Sequence, residues 1–228
     1  MISVVLATHD NEAQLAHALT ALVPGAADGL VREVLVVDGG SSDATHKVAD
    51  AAGCEFEVLA KGEGARFAHG ATLARKSPWL LFLNASTVLE HGWHQDVQTF
   101  IERVERSGQA NRCAAAFRLK LDAFGFGARL SEFGAMLRSR MLAMPNADQG
   151  LLISRRFYEE LGGHRDLAGM ADFDLVRRIG RSRIRLLRSS AIAGMPGGEA
   201  RPGLRRAAAR MAVAALRVPP ALAARLHG

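Results

Sequence analysis

An aspartate stands at the end of the apolar run Val34-Leu35-Val36-Val37 and is followed by Gly39-Gly40-Ser41-Ser42-Asp43. The run predicts a strand buried on both faces, the glycines a turn, and Ser42 or Asp43 a cap for the next helix. In open α/β sheets, ligands bind in the crevice at the carboxyl ends of the strands, often where strand order reverses. Asp38 therefore stands where a ligand would lie; support of its own turn is the alternative role. Two more polar segments follow apolar runs: Thr8-His9-Asp10-Asn11-Glu12 after Ile2–Ala7, and Asn84-Ala85-Ser86-Thr87 after Trp79–Leu83. Lys61-Gly62-Glu63-Gly64-Ala65-Arg66 places two glycines and two basic residues before a helix, where a phosphate can be held. It matches neither Gly-x-Gly-x-x-Gly nor a P-loop. Asp172 falls in the first turn of a helix opened by Met170, a place where the helix dipole favours a negative charge. His91 and His94 lack a partner at metal-ligand spacing and are expected to be a surface pair. No Gly-x-Ser-x-Gly elbow surrounds Ser41 or Ser42, which argues against a serine nucleophile.

The elements that must position these residues alternate. Strands are predicted at Ile2–Ala7, Glu33–Val37, Glu55–Leu59 and Trp79–Leu83. Leu15, Leu19 and Leu22 mark a first helix ended by Pro24-Gly25. Further helices run over 44–52, from the Lys61 loop to about Lys76, and over Trp93–Arg106. Short strands alternating with helices imply a largely parallel sheet with helices on its faces. Farther on, Ala114–Leu121 reads as a strand at the far side of the sheet. A helix is expected over Leu130–Met144, with Met136, Leu137, Met141 and Leu142 on its apolar side. A short strand at Leu151–Ile153 and helices at Arg155–Leu161 and from Met170 follow.

The 228 residues, 49% hydrophobic and 23% charged, suit one large domain or one domain with an appendage. Cys54 and Cys113 are far apart and form no Cys-x-x-Cys, as expected of reduced thiols in a cytosolic protein. No signal peptide is read at the N-terminus, and no apolar run reaches the about 18 residues of a membrane span. The net charge is +6, with arginines crowded from Arg177 onward. That bias points to phosphate or a lipid surface. Nucleic acid is disfavoured, because aromatics are scarce and no nucleic-acid-binding motif is present.

Taken in order, the motifs resemble those of family 2 glycosyltransferases of the GT-A fold. Val36–Thr45 fits the family's Val-Val-Asp-(Asp/Gly)-Gly-Ser-(Ser/Thr)-Asp-x-Thr residue for residue. Leu81–Thr87 corresponds to Leu-Phe-Leu-Asp-Ala-Asp-Thr, Gly150–Arg156 to Gly-x₅-Arg, Leu161–Gly163 to Leu-Gly-Gly, and Ala171–Arg178 to Glu-Asp-x-Asp-Leu-x-x-Arg. The resemblance spans about residues 2–190. It implies an α/β, mostly parallel GT-A sheet with helices on both faces, and inverting transfer of a sugar from a nucleoside diphosphate, usually uridine-linked. On this resemblance Thr8, Asp10, Asn11, Asp38, Gly39 and Arg66 bind the donor, with Asp38 on the nucleoside. Asn84, Ala85 and Ser86 take the place of Asp-x-Asp on the diphosphate side. Asp172 is the base that takes the acceptor's proton, and Asp148 and Gln149 lie on the acceptor side.

In the family the Asp-x-Asp motif holds Mg²⁺ or Mn²⁺, but Asn84 and Ser86 bring no charge to it, and hard cations prefer carboxylates. No metal ligand is therefore assigned. Ala171 likewise replaces the Glu of Glu-Asp. Two alternatives follow. One is a metal-independent transferase in which Lys61, Arg66, Arg177 and Arg178 neutralise the diphosphate; solvated positions on a helix face are the other reading of Arg177 and Arg178. The second alternative is an inactive homologue acting as a nucleotide-binding or membrane-associated regulatory protein.

The domain is expected over 1–195 and a linker with a basic amphipathic helical tail over 196–228. The tail carries Arg205, Arg206 and Arg210 beside Leu204, Met211, Val213 and Leu216. Such a helix can lie on an anionic membrane or pack on the domain. The location expected is cytoplasmic, with peripheral attachment at the inner face of the membrane. The acceptor expected is a sugar or lipid-linked molecule of the cell envelope.

Overall fold

The computed structural model describes residues 1–121, 149–167 and 170–193. The expected helix at 130–144 with its methionines, Asp148 and the tail from 196 lie outside the described residues.

The chain begins with β1 (Ile2–Thr8), α1 (Glu12–Ala27), β2 (Val31–Asp38), α2 (Thr45–Ala51), β3 (Glu55–Val58), α3 (Glu63–Leu73) and β4 (Trp79–Asn84). It continues with β5 (Thr87–Leu89), α4 (Trp93–Arg106), β6 (Ala114–Leu121), β7 (Leu151–Ser154), α5 (Arg155–Glu160), α6 (Ala171–Ile179) and β8 (Ile184–Ala193). Among the described residues the strands form one sheet in the order β3-β2-β1-β4-β7-β6-β8-β5. Strands β3, β2, β1 and β4 are parallel, β7 is antiparallel to both neighbours, and β8 is parallel to β6. The α/β architecture with a mostly parallel sheet is as expected.

The chain winds outward from β1 to β3, then returns through α3 to set β4 on the other side of β1. That reversal opens a crevice at the carboxyl ends of β1 and β4. The register pairs Thr8 with Asp38 and Ala7 with Asn84, so three strand ends finish level at its rim. Alternation along β1 divides the core. Ile2, Val4 and Leu6 pack with Leu15 and Leu19 of α1 and with Trp93 and Val97 of α4. Val5 and Ala7 pack with Phe67 and Ala71 of α3, Phe157 of α5 and Leu175 of α6. Burying each large side chain contributes about 1.5–3 kcal/mol.

Several sequence expectations are corrected. Helix α1 does not stop at Pro24-Gly25 but runs to Ala27. A Cβ on Gly25 would come 2.8 Å from the Trp93 ring, so this glycine serves helix contact rather than termination. The helix is closed instead by Gly29 at φ 71 and by the Leu30 amide donating to the Gly25 carbonyl at 2.9 Å. Helix α3 ends at Leu73, short of Lys76. The buried carboxylate of Glu33 accepts the Lys76 amide at 2.7 Å and the Ser3 hydroxyl at 2.5 Å, which holds the chain off the helix axis. Strand β6 is not at the far side of the sheet, because β8 and β5 lie beyond it. His91 is exposed, but His94 is not its surface companion. His94 is buried, with Nε2 3.1 Å from Asp28, and clasps α4 to the end of α1.

Candidate active site

The loops after β1 and β2 are braced against each other. The buried carboxylate of Asp38 accepts the amides of Gly40 (2.9 Å) and Ser41 (2.6 Å) and the Ser41 hydroxyl, so it builds its own turn. The Ser41 hydroxyl in turn accepts the Asp10 amide at 2.8 Å. Asp10, at φ 49, accepts the Ser42 amide at 2.7 Å; aspartate tolerates this left-handed conformation better than most residues. Asp43 accepts the Glu12 amide at 3.0 Å, satisfying from the second loop a donor at the start of α1. Burial acts to raise the Asp43 pKa, but hydrogen bonds from Thr45 and from the Glu12 amide outweigh it and hold the carboxyl below its ordinary value. The Thr45 hydroxyl accepts the Asn11 amide at 3.3 Å.

Arg66 reaches back from α3 across this floor. Its Nη1 donates to the Thr8 carbonyl at 2.9 Å. Burial lowers its pKa while Glu63 and Asp38 oppose the shift, and a guanidinium stays charged throughout. Among the described residues its buried Nε and the buried hydroxyl of Thr8 have no hydrogen-bond partner. Glu63, on the first turn of α3, accepts from the Asn84 amide nitrogen at 3.0 Å. The Asn84 carbonyl oxygen accepts the Ser86 amide and hydroxyl at 3.4 and 3.3 Å. Ala85 is buried, its amide on the Ala7 carbonyl at 3.1 Å. At the end of β4 the crevice thus brings together the Arg66 cation, the Asn84 amide, the Ser86 hydroxyl and the Glu63 carboxylate.

Asp172 lies on α6, whose start packs against the first turn of α3. A Cβ on Gly64 would lie 2.4 Å from Cβ of Ala171 and 2.3 Å from the Arg165 carbonyl oxygen. Only a glycine lets α6 approach the first turn of α3 so closely. The Asp172 side chain is 18% exposed, and Oδ1 lies 3.2 Å from Nε2 of the fully buried His164. His164 was not singled out in the sequence. The signal it offers is an imidazole immediately after Leu161-Gly162-Gly163, the segment that leads toward the Asp172 helix.

The basic candidates divide. Arg178 donates to Asp174 (Nη2 at 2.6 Å), to the Leu161 carbonyl and to the Gly163 carbonyl at 2.6 Å. Its fork is spent on shaping the Leu-Gly-Gly segment, so it is neither the phosphate ligand nor the solvated residue expected. Arg177 and Lys61 are exposed. Gln149 is buried, its amide nitrogen on the Phe117 carbonyl at 3.0 Å, which commits that group to the sheet. Arg155, matched only as part of Gly-x₅-Arg, donates to the carbonyls of Ala71 (3.0 Å), Ala74 and Ser77 (3.5 Å) at the end of α3.

The model of the Glycosyl transferase family 2 matches residues 3–116, half of the chain, and covers β1 through the first part of β6. The chain belongs to glycosyltransferase family 2. Solved structures agree with this family 2 fold. Glucosyl-3-phosphoglycerate synthase from Mycobacterium tuberculosis, in complex with Mn²⁺, UDP and glucosyl-3-phosphoglycerate, superposes with a TM-score of 0.63 at 20% identity, over 96% of this chain and 81% of that one. TarS 1–349 from S. aureus, in complex with UDP-GlcNAc, gives a TM-score of 0.67 at 17% identity, over 97% of this chain and 69% of that one. A search of the curated proteins found no match.

For this glycosyltransferase the donor set at the end of β4 fits a divalent cation poorly. Asn84 and Ser86 are neutral, and the nearby carboxylate, Glu63, is held by the Asn84 amide. Hard cations such as Mg²⁺ and Mn²⁺ take several oxygen ligands with carboxylates prominent among them. Among the described residues no group of three His, Cys, Asp or Glu side chains could hold a metal.

Proposed function

We propose that this family 2 glycosyltransferase moves a sugar from a nucleoside diphosphate, UDP in first place, to an acceptor hydroxyl with inversion and without a metal. The observation that carries this reading is Arg66, a half-buried cation at the level strand ends with an unspent buried N–H. The nucleoside lies on the braced loops, against Thr8, Asp10, Asn11 and the Asp38-Gly39 turn. The diphosphate lies toward Arg66 and the edge at Asn84, Ala85 and Ser86, with exposed Lys61 at the mouth. The acceptor oxygen attacks the anomeric carbon, and the bond from that carbon to the diphosphate oxygen breaks. Its electron pair leaves with the diphosphate, and the acceptor's proton passes to Asp172. One displacement at one carbon inverts the configuration. Stabilising the charge of a leaving diphosphate is worth several kcal/mol, and a fixed guanidinium suits phosphate oxygens. The retained Asp172 favours this reading over an inactive homologue.

The acceptor proposed is a sugar or lipid-linked molecule of the cell envelope, on the strength of the basic C-terminal composition. Among the described residues no helix is long and apolar enough to cross a membrane.

Calorimetry with UDP, GDP and dTDP, each with Mn²⁺ and with chelator, tests the donor reading. UDP binding that survives chelation and weakens at least about tenfold in Arg66→Ala, a loss of about 1.4 kcal/mol, is expected. Binding that requires Mn²⁺ would overturn metal independence, and no binding of any nucleotide would overturn the donor class.

A further inference from the structure

His164 is buried between aromatic rings, with its ring centre 5.1 Å from that of Phe67 on α3 and 4.7 Å from that of Phe82 on β4. Its two nitrogens meet different partners. Nδ1 lies 3.0 Å from the Tyr158 hydroxyl of α5, and Nε2 lies 3.2 Å from Asp172 Oδ1 of α6. The Tyr158 oxygen also accepts the backbone N–H of His164 at 2.9 Å. A phenol has one proton to give. A carboxylate such as Asp172 can only accept, which places the ring proton on Nε2 and leaves Nδ1 to take the phenol proton. Nε2–H then donates to Asp172. Burial pushes the Tyr158 pKa up to about 12, so the phenol keeps this proton at any working pH. The surrounding fold holds the chain of bonds in place. Tyr158 packs on Gly163, where a Cβ would lie 3.0 Å from its ring, and Arg178 grips the carbonyls on either side of Gly162.

We propose that His164 is a positioning residue for the transfer reaction, its Nε2–H pinning Oδ1 of Asp172 so that Oδ2 receives the acceptor's proton. The proposal rests on the reading of Asp172 as the base. A carboxylate on a helix's first turn can rotate about χ2, and a buried imidazole locked by a tyrosine fixes that rotation. Misplacing a catalytic group by about 1 Å can cost about 10²-fold in rate, so the expected effect lies in kcat.

Two measurements on the full chain test this. In ¹⁵N-histidine-labelled protein without ligand, a long-range ¹H–¹⁵N spectrum should show His164 protonated on Nε2 alone. Asp172→Asn should shift the Nε2 signal and Tyr158→Phe the Nδ1 signal. A proton on Nδ1, or an Nε2 signal unmoved by Asp172→Asn, would overturn the relay. Release of UDP from UDP-glucose and UDP-N-acetylglucosamine then reads its role. His164→Phe keeps the aromatic packing and should lower kcat about tenfold or more with donor KM little changed, while His164→Gln, which keeps a donor, should recover most of it. Full kcat in His164→Phe alongside a loss in Asp172→Asn would overturn the positioning role and leave the base in place. Full kcat in Asp172→Asn would instead overturn the base reading.

Discussion

Gly39 lies directly beneath the guanidinium of Arg66: a Cβ built on the glycine would stand 2.0 Å from Nη1 and 3.1 Å from Nδ1 of His9. The obstacle is the far end of a flexible side chain, so Gly39→Ala should fold with little loss of stability and expel Arg66 from its seat on Thr8. Nucleotide binding should weaken about tenfold, or about 1.4 kcal/mol. Thermal unfolding and UDP calorimetry on the same sample check both halves, and unchanged affinity would remove Arg66 from the donor site.

Gly64→Ala acts differently, because the obstacles are the Arg165 carbonyl and the Ala171 Cβ. Backbone must move, and α6 with Asp172 must retreat from α3. A loss of about 1–3 kcal/mol is expected from such overpacking, together with a fall in kcat and retained nucleotide affinity. Urea unfolding with steady-state kinetics is the test.

Much of the first half of this fold was legible because β1, β2 and β4 are apolar runs separated by helices. Helix α4 could be read to the residue, since Trp93, Val97, Phe100, Ile101 and Val104 recur at helical spacing and all are buried. Strand β8 could not. Arg185, Arg188, Ser189 and Ser190 break any period-2 pattern, and the strand exists through its ladders with β6 and β5. The site shows the same division. Asp172 and Asp38 stand in ordered motifs. Glu63 meets Asn84 across 21 residues with no local signal. Arg178 carried a readable one, since Asp174 stands four residues before it, the spacing of neighbours on one helix face.

Arg155 is expected to matter for stability and not for ligand affinity. Its guanidinium satisfies the Ala71 and Ala74 carbonyls at the end of α3 and reaches the Ser77 carbonyl just beyond it. Hydrogen bonds to a charged group contribute about 1.5–3 kcal/mol, and Arg155→Ala should lower unfolding free energy by about that amount. Denaturant titration measures it, and a loss under about 0.5 kcal/mol, the range of ordinary surface substitutions, would count against the clamp.

Tyr158 gives the stability an alkaline limb. Its pKa rises from 10.0 to about 12 by burial, so between those values the folded chain keeps a proton that the unfolded chain has lost. The contribution is whole below pH 10 and disappears as pH rises through about 12, a total of about 3 kcal/mol. The stability gap between the native chain and Tyr158→Phe should shrink over that interval. A gap independent of pH would show that the phenol is not protected.

Residues 201–228 hold Arg201, Arg205, Arg206, Arg210, Arg217 and Arg225 and no acidic side chain. The full chain should sediment with anionic vesicles at low salt and release as ionic strength approaches physiological values, where the screening length is about 8 Å. Failure to bind at low salt would remove the membrane from the account.

The cross-braced loops after β1 and β2 have a consequence for how nucleotide preference can change. Asp10 is tied to Ser41 and Ser42, Glu12 to Asp43 and Asn11 to Thr45, so the two loops form one rigid floor. With the nucleoside seated on them as proposed, loops fixed in advance spare the ordering cost that flexible loops impose on a ligand. The floor also resists piecemeal alteration, because a residue swapped on one side tilts the other. Retargeting this enzyme to another base would require transplanting both loops together, as a single insert seated on adjacent strands.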